Sequence, residues 1–546
     1  MEYHNSKRQI WLPLIVALAI VAGVLVGKYL PRQGSAPVGG FSLSSHASGL
    51  SEDKLNQVLS RIYNQYVDLP RMDSIEEEVI PMILESLDPH SAYIPASQLA
   101  QVNEPLEGQF DGIGVTFNML GDTVRIINVI TGGPSAKAGL LNGDRIITVG
   151  DSLVSGRSID QEDVVKLLRG PRGTTVELGI ERVGVQGLLP VTVTRGIIPL
   201  KSVDAAFMIA PQTGYIKLSL FSRNSHQEIV AGALEMKERG MKNLILDLRG
   251  NSGGLLDQAI YIANEFLPKE SLIVYTEGRA SRRRNQYSNG KGRLQEINPV
   301  LLIDESSASA SEIVAGALQD NDRGVIIGRR SFGKGLVQEQ MELGDGSAMR
   351  LTVARYYTPV GRSIQKPYEN GIEAYNRDLL TRFEHSELFS ADSIRFADSL
   401  KFVTPGGKEV YGGGGIMPDI FVPVDTVRDN RYAVQVVNRN ILLLFTTGYT
   451  DRHRTELNDI TTLPEMDAYF DAHQGLLDEL VQFAAGKGVR PGPDDLEEAR
   501  KPLTAYLKAY VGRNTPLEEN AFYYYLLPLD PEYLRTIEYL EGKRQE

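Results

Sequence analysis

Residues 243–254 read Asn-Leu-Ile-Leu-Asp-Leu-Arg-Gly-Asn-Ser-Gly-Gly, and this stretch indicates the fold class. Its first half is a short apolar run, which is typical of a strand buried on both faces of a sheet. A glycine-rich turn follows, and a helical pattern follows the turn. Similar short apolar runs begin at Tyr215, Val300 and Val325. Because these runs alternate with helical stretches, the sequence predicts an α/β core.

The length and composition of the chain exclude several classes of protein. A chain of 546 residues is too long for one hydrophobic core, so we expect several domains. Lys and Arg number 57 against 69 Asp and Glu, and this acidic balance argues against a nucleic-acid partner. The absence of cysteine excludes disulfides, thiolate catalysis and cysteine-ligated zinc. The sequence has no His-Glu-x-x-His motif or clustered ligand set, so we expect neither a metal nor a cofactor.

The N-terminal residues predict a membrane anchor. The stretch from Ile10 to Gly27 carries no charge and follows Lys7 and Arg8, and it is long enough for a spanning helix. A cleaved signal peptide also begins with a basic segment, but the residues after the run lack a small-x-small cleavage pattern. We therefore expect an uncleaved signal anchor. Its basic flank would keep the N-terminus in the cytoplasm and export the rest, to the periplasmic side of the inner membrane in a Gram-negative cell.

The remaining patterns predict a multidomain α/β protein with helical flanks. The expected segments are a signal anchor or transmembrane helix (1–30), a flexible linker (31–48), an N-terminal helical segment (49–104), a small β-rich domain (105–197), an α/β core (198–424) and a helical C-terminal extension (425–546). The two helical segments are candidate surfaces for a homo-oligomer or an adaptor protein.

The small domain has the features of a peptide-tail reader. Glycines before a strand let backbone N–H groups turn toward a carboxylate, and an exposed strand edge can pair with an extended peptide. Together with two glycine-rich stretches at 133–140 and 143–146, the motif at 112–115 resembles a PDZ domain. The helix at 160–169 would form the other wall of the groove. The resemblance implies that a peptide C-terminus binds at Gly112, Ile113, Gly114 and Val115.

Two more segments stand out in the α/β core, at 306–312 and 331–338. Taken singly, each has a structural interpretation. Ser309-x-x-Glu312 is a helix capping box, and Lys334 alone would be a solvated lysine. The glycine-rich turn at 250–254 lacks the Gly-Lys-Ser/Thr of a phosphate-binding loop.

In this order, and after a PDZ-like domain, the three core segments resemble the carboxyl-terminal processing peptidases, also called tail-specific proteases. The resemblance runs from about Leu50 to Val424, and Ser307–Glu312 and Phe332–Gly335 are its most specific motifs. Residues 87–93 and 413–419 also look like family segments. The family has a Ser–Lys dyad. The resemblance implies these roles: Ser309 as nucleophile, Lys334 as general base, Gln338 as the residue that orients the lysine, and the amides of Gly253, Gly254 and Ala310 as the oxyanion hole.

The residue chemistry is consistent with such a dyad. A serine hydroxyl needs a base, and a lysine can act as one only when burial lowers its pKa. The neighbours of Lys334 from 332 to 337 are apolar or small, which suits a desolvated amine. If residues 335–338 form a helical turn, Lys334 and Gln338 lie on one face and can touch. The stretch 306–311 contains four serines, and only the resemblance selects Ser309.

Two alternatives remain open. Residues 250–254 fit the Gly-x-Ser-x-Gly pattern, so Ser252 could serve a Ser–His–Asp hydrolase. The histidines after it are His385, His453 and His473, and none follows an evident core strand. The second alternative is a catalytically inactive or latent PDZ scaffold at the membrane. The favoured hypothesis is an exported serine endopeptidase that binds polypeptide substrates by their C-terminus and cleaves them.

Overall fold

The computed structural model describes residues 54–542, except for 121, 131, 157–158, 183 and 426–429. The predicted signal anchor and linker lie outside the described residues. Among the residues that are described, no helix is long and apolar enough to cross a membrane. The described residues divide between Ile75 and Glu76 into two compact units.

The predicted N-terminal helical segment contains helices and one short strand that its periodicity did not indicate. The last helix runs past the predicted boundary and ends where Gly108 adopts a left-handed conformation (φ +68°), which glycine tolerates without cost. The elements are α1 (Lys54–Gln65), α2 (Met72–Glu85), β1 (Ala92–Ile94) and α3 (Ala96–Glu107).

The second domain is built on an antiparallel sheet with the strand order β3-β4-β5-β7-β8, with β6 beside β5. Strands β2 and β9 pair with each other and connect the domain to the rest of the chain. In this sheet β3 pairs with β4 on one side only, so it is an edge strand. The elements are β2 (Gln109–Gly112), β3 (Val115–Leu120), β4 (Thr123–Val129), α4 (Pro134–Lys137), β5 (Arg145–Val149), β6 (Ser152–Leu153), α5 (Gln161–Leu168), β7 (Thr175–Glu181), β8 (Leu189–Thr194) and β9 (Gly196–Pro199).

The third domain has a six-stranded sheet in the order β10-β11-β12-β15-β16-β21. The first pair is antiparallel and all other pairs are parallel. A second sheet has the order β1-β18-β13-β14, with β17 also paired to β18. The elements are β10 (Val203–Ala210), β11 (Thr213–Leu218), α6 (Ser225–Glu238), β12 (Asn243–Asp247), α7 (Leu256–Phe266), β13 (Leu272–Glu277), β14 (Arg284–Tyr287), β15 (Asn298–Ile303), α8 (Ala310–Asp320), β16 (Val325–Gly328), β17 (Leu336–Glu342), β18 (Ala348–Tyr357), α9 (Ile372–Asn376), α10 (Asp378–Glu384), β19 (Lys401–Val403), β20 (Glu409–Tyr411) and β21 (Ile420–Phe421).

Both faces of the six-stranded sheet are buried, which explains the continuous apolar run of β12. Leu244 and Leu246 belong to one hydrophobic cluster, together with residues of α7 and α8. Ile245, between them, points to a different cluster that includes Leu527 and Tyr533. Successive side chains of a strand point to opposite faces, so the C-terminal region covers the second face of the sheet.

The C-terminal region is helical and forms its own hydrophobic cluster around residues such as Phe445, Leu480 and Leu503. It also contacts the second domain, where Asp451 pairs with Arg125. Its helices are α11 (Arg431–Asn438), α12 (Ile441–Arg452), α13 (Arg454–Asn458), α14 (Leu463–Ala472), α15 (Leu476–Gly486), α16 (Asp495–Arg513), α17 (Glu519–Leu526) and α18 (Pro531–Leu540).

Candidate active site

Ser309 lies in a sharp turn between strand β15 and helix α8. Its backbone has φ +53° and ψ −112°, in a region that side chains other than glycine seldom occupy. Such a conformation costs on the order of 1–3 kcal/mol and persists only where neighbouring contacts impose it. The residue is the N-cap of α8, so the positive end of the helix dipole lies beside its side chain.

The four nearby serines have different environments. Ser307 and Ser311 are fully buried, and their hydroxyls donate to the carbonyls of Leu248 and Asn251 at 2.9 Å each. These two hydroxyls fasten the turn to the glycine-rich segment. Ser306 is exposed. Of the four described serines, Ser309 is the one that lines the adjoining cavity.

Glu312 holds the Ser309 turn and the Lys334 segment together. Its Oε2 accepts hydrogen bonds from the backbone N–H groups of Ser309 (2.8 Å) and Lys334 (2.9 Å). Its Oε1 accepts from Gly333 N–H (2.7 Å) and from Ser331 Oγ–H (2.5 Å). The carboxyl group is fully buried, and this burial raises its pKa to about 7 in spite of the four donors.

Tyr356 makes a second connection between the same two segments. Its hydroxyl donates to the carbonyl oxygen of Lys334 and also lies 3.1 Å from the carbonyl oxygen of Ser309. The tyrosine is 1% exposed, and burial raises its pKa well above the usual range, so it stays a neutral donor. The relative position of Ser309 and Lys334 is therefore set by both a carboxylate and a phenol.

Lys334 has a lowered pKa. Burial of the ammonium group is the main cause, and the positive charge of Arg350 adds to it. The carboxylates of Glu312 and Asp88 act in the opposite direction. The net direction favours the neutral amine, which is the form that can accept a proton.

Gln338 holds the lysine, although not through the predicted helical turn. Lys334 Nζ donates to Gln338 Oε1 at 3.2 Å. The predicted turn at 335–338 is wrong, because Leu336 to Glu342 form strand β17. Lys334 lies two residues before this strand, and a β-bulge interrupts the pairing with β18 at Val337/Gln338, so regular strand alternation does not explain the contact.

The segment at 87–93 fixes the other end of Gln338. Gln338 Nε2 donates to the backbone carbonyl of His90. The Asp88 carboxylate anchors this segment by accepting from the N–H groups of His90 and Ser91, at 2.8 Å each, and from the Thr352 hydroxyl at 3.1 Å. Burial and the nearby charge of Lys334 lower the pKa of His90 to about 4, so its ring is neutral.

The glycine-rich turn packs against Ser309. A Cβ added to Gly253 would lie 2.7 Å from the Cβ of Ser309 and 3.0 Å from the backbone nitrogen of Ala310. The Gly253 N–H donates to Asn251 Oδ1 at 2.9 Å. Gly254 lines the cavity, and Ala310 is the first residue of α8. The three predicted oxyanion-hole residues are therefore close to Ser309, but the amide of Gly253 is already engaged.

A cavity of about 430 Å³ opens beside Ser309. Lys334 and Gln338 line it, as does Ser252, which is exposed. No histidine is among the described residues that form its walls, so the geometry gives no partner for a Ser–His–Asp hydrolase at Ser252. Apolar side chains supply much of the remaining wall: Leu106, Leu255, Leu256, Ile313, Leu336 and Val337.

The predicted tail-binding motif lies at one edge of the second domain. Gly112 ends β2, and Val115 begins the edge strand β3. The carbonyls of Ile113 and Gly114 accept backbone hydrogen bonds from Ser135 and Ile130. Gly114 has φ +77°, and a Cβ there would approach Ile198 to 3.0 Å, which explains the need for glycine.

Several residues of the site were missed by sequence reasoning. Glu312 was interpreted only as part of a capping box, although that motif was the available signal for it. Asp88 and His90 lie in the segment 87–93, which resembles a family segment, but no role was predicted for either residue. Tyr356 carries no local signal in the sequence, because it acts through contacts with residues far away in the chain.

The chain is similar to known peptidases along most of its length. The model of Peptidase family S41 matches residues 212–374, that of the PDZ domain matches 125–182, and that of a family of unknown function matches 432–515. The carboxy-terminal-processing protease of Bartonella bacilliformis is 38% identical over 317 residues, which cover 57% of this chain and 72% of that protein. The carboxy-terminal processing protease CtpA of Bacillus subtilis is 32% identical over 370 residues, covering 66% and 76%. A solved photosystem II D1 C-terminal processing protease is 26% identical with a TM-score of 0.36, covering 67% of this chain and 86% of that one.

The domains and these relatives define a serine endopeptidase that carries a PDZ domain. The chain belongs to the carboxy-terminal processing proteases of peptidase family S41. The predicted family and enzyme class are thereby confirmed. The roles assigned to individual residues, the segment boundaries and the location in the cell stay predictions.

Proposed function

We propose that the protein is an exported endopeptidase that binds the C-terminal ends of polypeptides in its PDZ groove and cleaves them by Ser–Lys acyl-enzyme catalysis. The observation that carries the proposal is the pair of buried contacts, from Glu312 and Tyr356, that connects a strained Ser309 to a desolvated Lys334 in the wall of one cavity. A strained serine in a cavity wall is typical of a functional residue, and an amine whose pKa is lowered can act as its base.

In the proposed reaction, Ser309 Oγ attacks the scissile carbonyl while Lys334 Nζ takes its proton. The negative charge that develops on the carbonyl oxygen is stabilised by backbone amides at the start of α8 and in the glycine-rich turn. We assign this role to Ala310 and Gly254, because the Gly253 N–H is occupied by Asn251. The protonated lysine then gives its proton to the leaving amine, and water releases the acyl group in a second step of the same kind.

Gln338 would act as a positioning residue. Its Oε1 accepts from Lys334 Nζ, and its Nε2 is tied to the carbonyl of His90. This arrangement aims the lysine without adding a charge, so it does not raise the pKa of the amine. A carboxylate at the same position would favour the protonated form and weaken the base.

Substrate recognition would take place at Gly112–Val115 and along the edge strand β3. Backbone groups at the loop can bind a terminal carboxylate, and the unpaired edge can add the peptide as a further strand. Ile113, Val115 and Phe117 belong to the hydrophobic cluster of this domain, together with Val164 of α5. Val115 and Phe117 are only partly buried, so an apolar terminal side chain would suit this edge of the domain.

We further propose that the protein is anchored in the membrane with its catalytic part outside the cytoplasm. Support comes from the uncharged run Ile10 to Gly27 with Lys7 and Arg8 before it. Protease added to intact spheroplasts should degrade the catalytic part, and protection of that part would contradict the proposed orientation.

The test of catalysis uses the full chain in detergent micelles and an unstructured polypeptide with an apolar C-terminus. Wild type should cleave it, whereas Ser309→Ala and Lys334→Ala should bind the tail without cleaving it. Ser306→Ala is the matched control, because that serine is exposed on the same turn, and it should cleave like wild type. Cleavage by the first two variants at the wild-type rate would refute the dyad. Binding without cleavage by wild type would favour the latent-scaffold alternative.

A further inference from the structure

Two histidines and a glutamate converge in the C-terminal helical region, far along the chain from the active-site segments. His453 follows α12, Glu456 lies in α13, and His473 follows α14. One nitrogen or oxygen atom of each lies within 4.8 Å of the corresponding atoms of the other two. His453 Nδ1 and Glu456 Oε2 are 3.8 Å apart. Two imidazoles and a carboxylate form a ligand set that zinc uses.

The ring of His473 is oriented as a metal ligand would be. Its Nδ1 lies 2.8 Å from the backbone carbonyl oxygen of Tyr469. A carbonyl oxygen can only accept, so Nδ1 carries a hydrogen, and in the neutral ring Nε2 is the nitrogen whose lone pair is free to bind a metal. A histidine that binds a metal through one nitrogen typically donates its other N–H to a carbonyl or carboxylate in this way.

Both imidazole rings are held by tyrosines. His453 stacks on Tyr449 with 4.3 Å between ring centres, and His473 stacks on Tyr469 with 4.2 Å. The hydroxyls of the two tyrosines are 2.9 Å apart and hydrogen-bonded to each other. The centres of the two imidazole rings are 5.7 Å apart. Because each ring stacks on one of two tyrosines that are hydrogen-bonded to each other, the tyrosine pair limits the movement of both rings. Ligands that are held before the metal arrives lose less entropy on binding it.

The position of His473 also favours a positive ion. His473 is the C-cap residue of α14, and the last carbonyl groups of a helix carry partial negative charge. His453 is the C-cap residue of α12 and also the N-cap residue of the five-residue helix α13, so the two helix ends offset each other there. Ligand atoms around tetrahedral zinc are separated by roughly 3.3 Å for bonds of about 2.0–2.1 Å. The present spacing therefore requires only a small closing rotation of the side chains.

We propose that His453, Glu456 and His473 bind one divalent transition-metal ion, with Zn²⁺ as the best match, and that water completes the coordination. The site fastens α12 to α14 next to the contact with the PDZ domain. Asp451, two residues before His453, pairs with Arg125 of that domain. The metal is thus a structural brace of the C-terminal region and has no part in the peptidase chemistry.

The test is a titration of the chelator-treated full chain in detergent micelles with Zn²⁺, followed by calorimetry, and with Co²⁺, followed by its visible absorption. Wild type should bind one equivalent, and Co²⁺ should show the bands of a tetrahedral site. At a hundredfold excess of free Zn²⁺ over its dissociation constant, the unfolding midpoint should rise by about 2–3 °C. Peptide cleavage by wild type should be unaffected by chelation.

Three variants and a control separate a metal site from histidine packing. His453→Gln and His473→Gln should weaken Zn²⁺ binding by about 10–100-fold or more. Glu456 is 63% exposed, so Glu456→Gln leaves the packing intact and should still weaken binding. His385→Gln is the control, since His385 is exposed and distant in sequence from the cluster, and it should bind like wild type. The proposal is overturned if wild type binds no equivalent of Zn²⁺, or if Glu456→Gln and His473→Gln bind it as tightly as wild type does.

Discussion

Replacing Glu312 by glutamine tests whether one buried carboxylate holds the active-site segments together. The carboxylate accepts two hydrogen bonds at each oxygen. In its best orientation, a glutamine amide oxygen keeps the bonds from the N–H groups of Ser309 and Lys334, and its –NH₂ group takes the place of Oε1. The Ser331 hydroxyl can turn to accept from that group. The Gly333 N–H can only donate, so in the variant it faces the –NH₂ group, which is also a donor.

The cost follows from these unmatched groups. Each buried donor without a partner costs about 1–3 kcal/mol, so the Gly333 N–H and the amide hydrogen facing it cost about 2–6 kcal/mol together. The pKa of Glu312 is raised to about 7, above its value in the unfolded chain. Its contribution to wild-type stability is therefore present at low pH and is lost as the pH rises through about 7. Glutamine does not titrate. The difference in unfolding free energy between wild type and Glu312→Gln should therefore narrow by about 2–3 kcal/mol from about pH 5 to about pH 8.

The measurements are unfolding midpoints at the two pH values and steady-state cleavage of a tail substrate. The unfolding midpoint of Glu312→Gln should lie below that of wild type at pH about 5, and the difference between the two midpoints should shrink by roughly 2–3 °C at pH about 8. Because Gly333 precedes the base, kcat should fall about 100-fold, while KM should change little since the PDZ groove is untouched.

Glu465→Gln is the matched control for the helix cap. Glu465 also caps a helix, α14, by accepting from the N–H groups of Thr461 and Thr462, but it is exposed. Glu465→Gln should keep wild-type activity, and its unfolding midpoint should show no comparable pH-dependent difference from that of wild type. If Glu312→Gln cleaves and unfolds like wild type at both pH values, Glu312 is only a helix cap.

Three further outcomes are expected. With burial lowering the pKa of Lys334, kcat should rise with pH and level off below the usual lysine range, and a flat profile from about pH 6 to 9 would contradict a lysine base. Gly253→Ala should reduce kcat about 100-fold or more, because Gly253 has φ +107° and the added Cβ would lie 2.7 Å from the Cβ of Ser309. Gly407→Ala is the control: Gly407 also has a positive φ (+86°) but has open space around it, so this variant should match wild-type activity. Tyr533→Ala should lower the unfolding free energy by about 3–5 kcal/mol, because Tyr533 covers the second face of the six-stranded sheet, whereas the exposed Leu534→Ala should change it little. Equal unfolding midpoints for those two variants would show that α18 is dispensable.

Sequence patterns predicted what depends on local periodicity. The apolar runs at Tyr215, Asn243, Val300 and Val325 all lie in strands of the six-stranded sheet, because a strand buried on both faces is apolar along most of its length. The strand at Ala92–Ile94 was not predicted, since three residues are too few to establish a period and its pairing partner is in β18.

The arrangement of the site could be predicted only in part. Nothing local to Lys334 indicates that residues 336–342 form a strand, because their pairing with β18 decides the conformation. The helical-turn hypothesis therefore placed Gln338 beside Lys334 for the wrong reason. The carbonyl of His90, which completes the arrangement, is a backbone group and has no side-chain identity that a sequence pattern could reveal.

The strained turn at Ser309 is supported by two independent sets of buried polar contacts. On one side, Glu312 and Tyr356 connect it to the Lys334 segment. On the other, Arg249 fastens the start of the glycine-rich turn, through Asp247 at 2.6 Å and through Asp530, just before α18, at 2.7 Å.

These contacts are strong enough to impose the strain. A conformation that costs on the order of 1–3 kcal/mol is opposed by several charge-assisted hydrogen bonds, each contributing about 1.5–3 kcal/mol. Arg249 and Asp247 are both held in their charged forms, since each moves the pKa of the other away from neutral pH. Because Asp530 belongs to the C-terminal region, that region takes part in positioning the glycine-rich turn against Ser309. Loosening α18 should therefore reduce catalysis as well as stability, although no residue of α18 lines the described cavity.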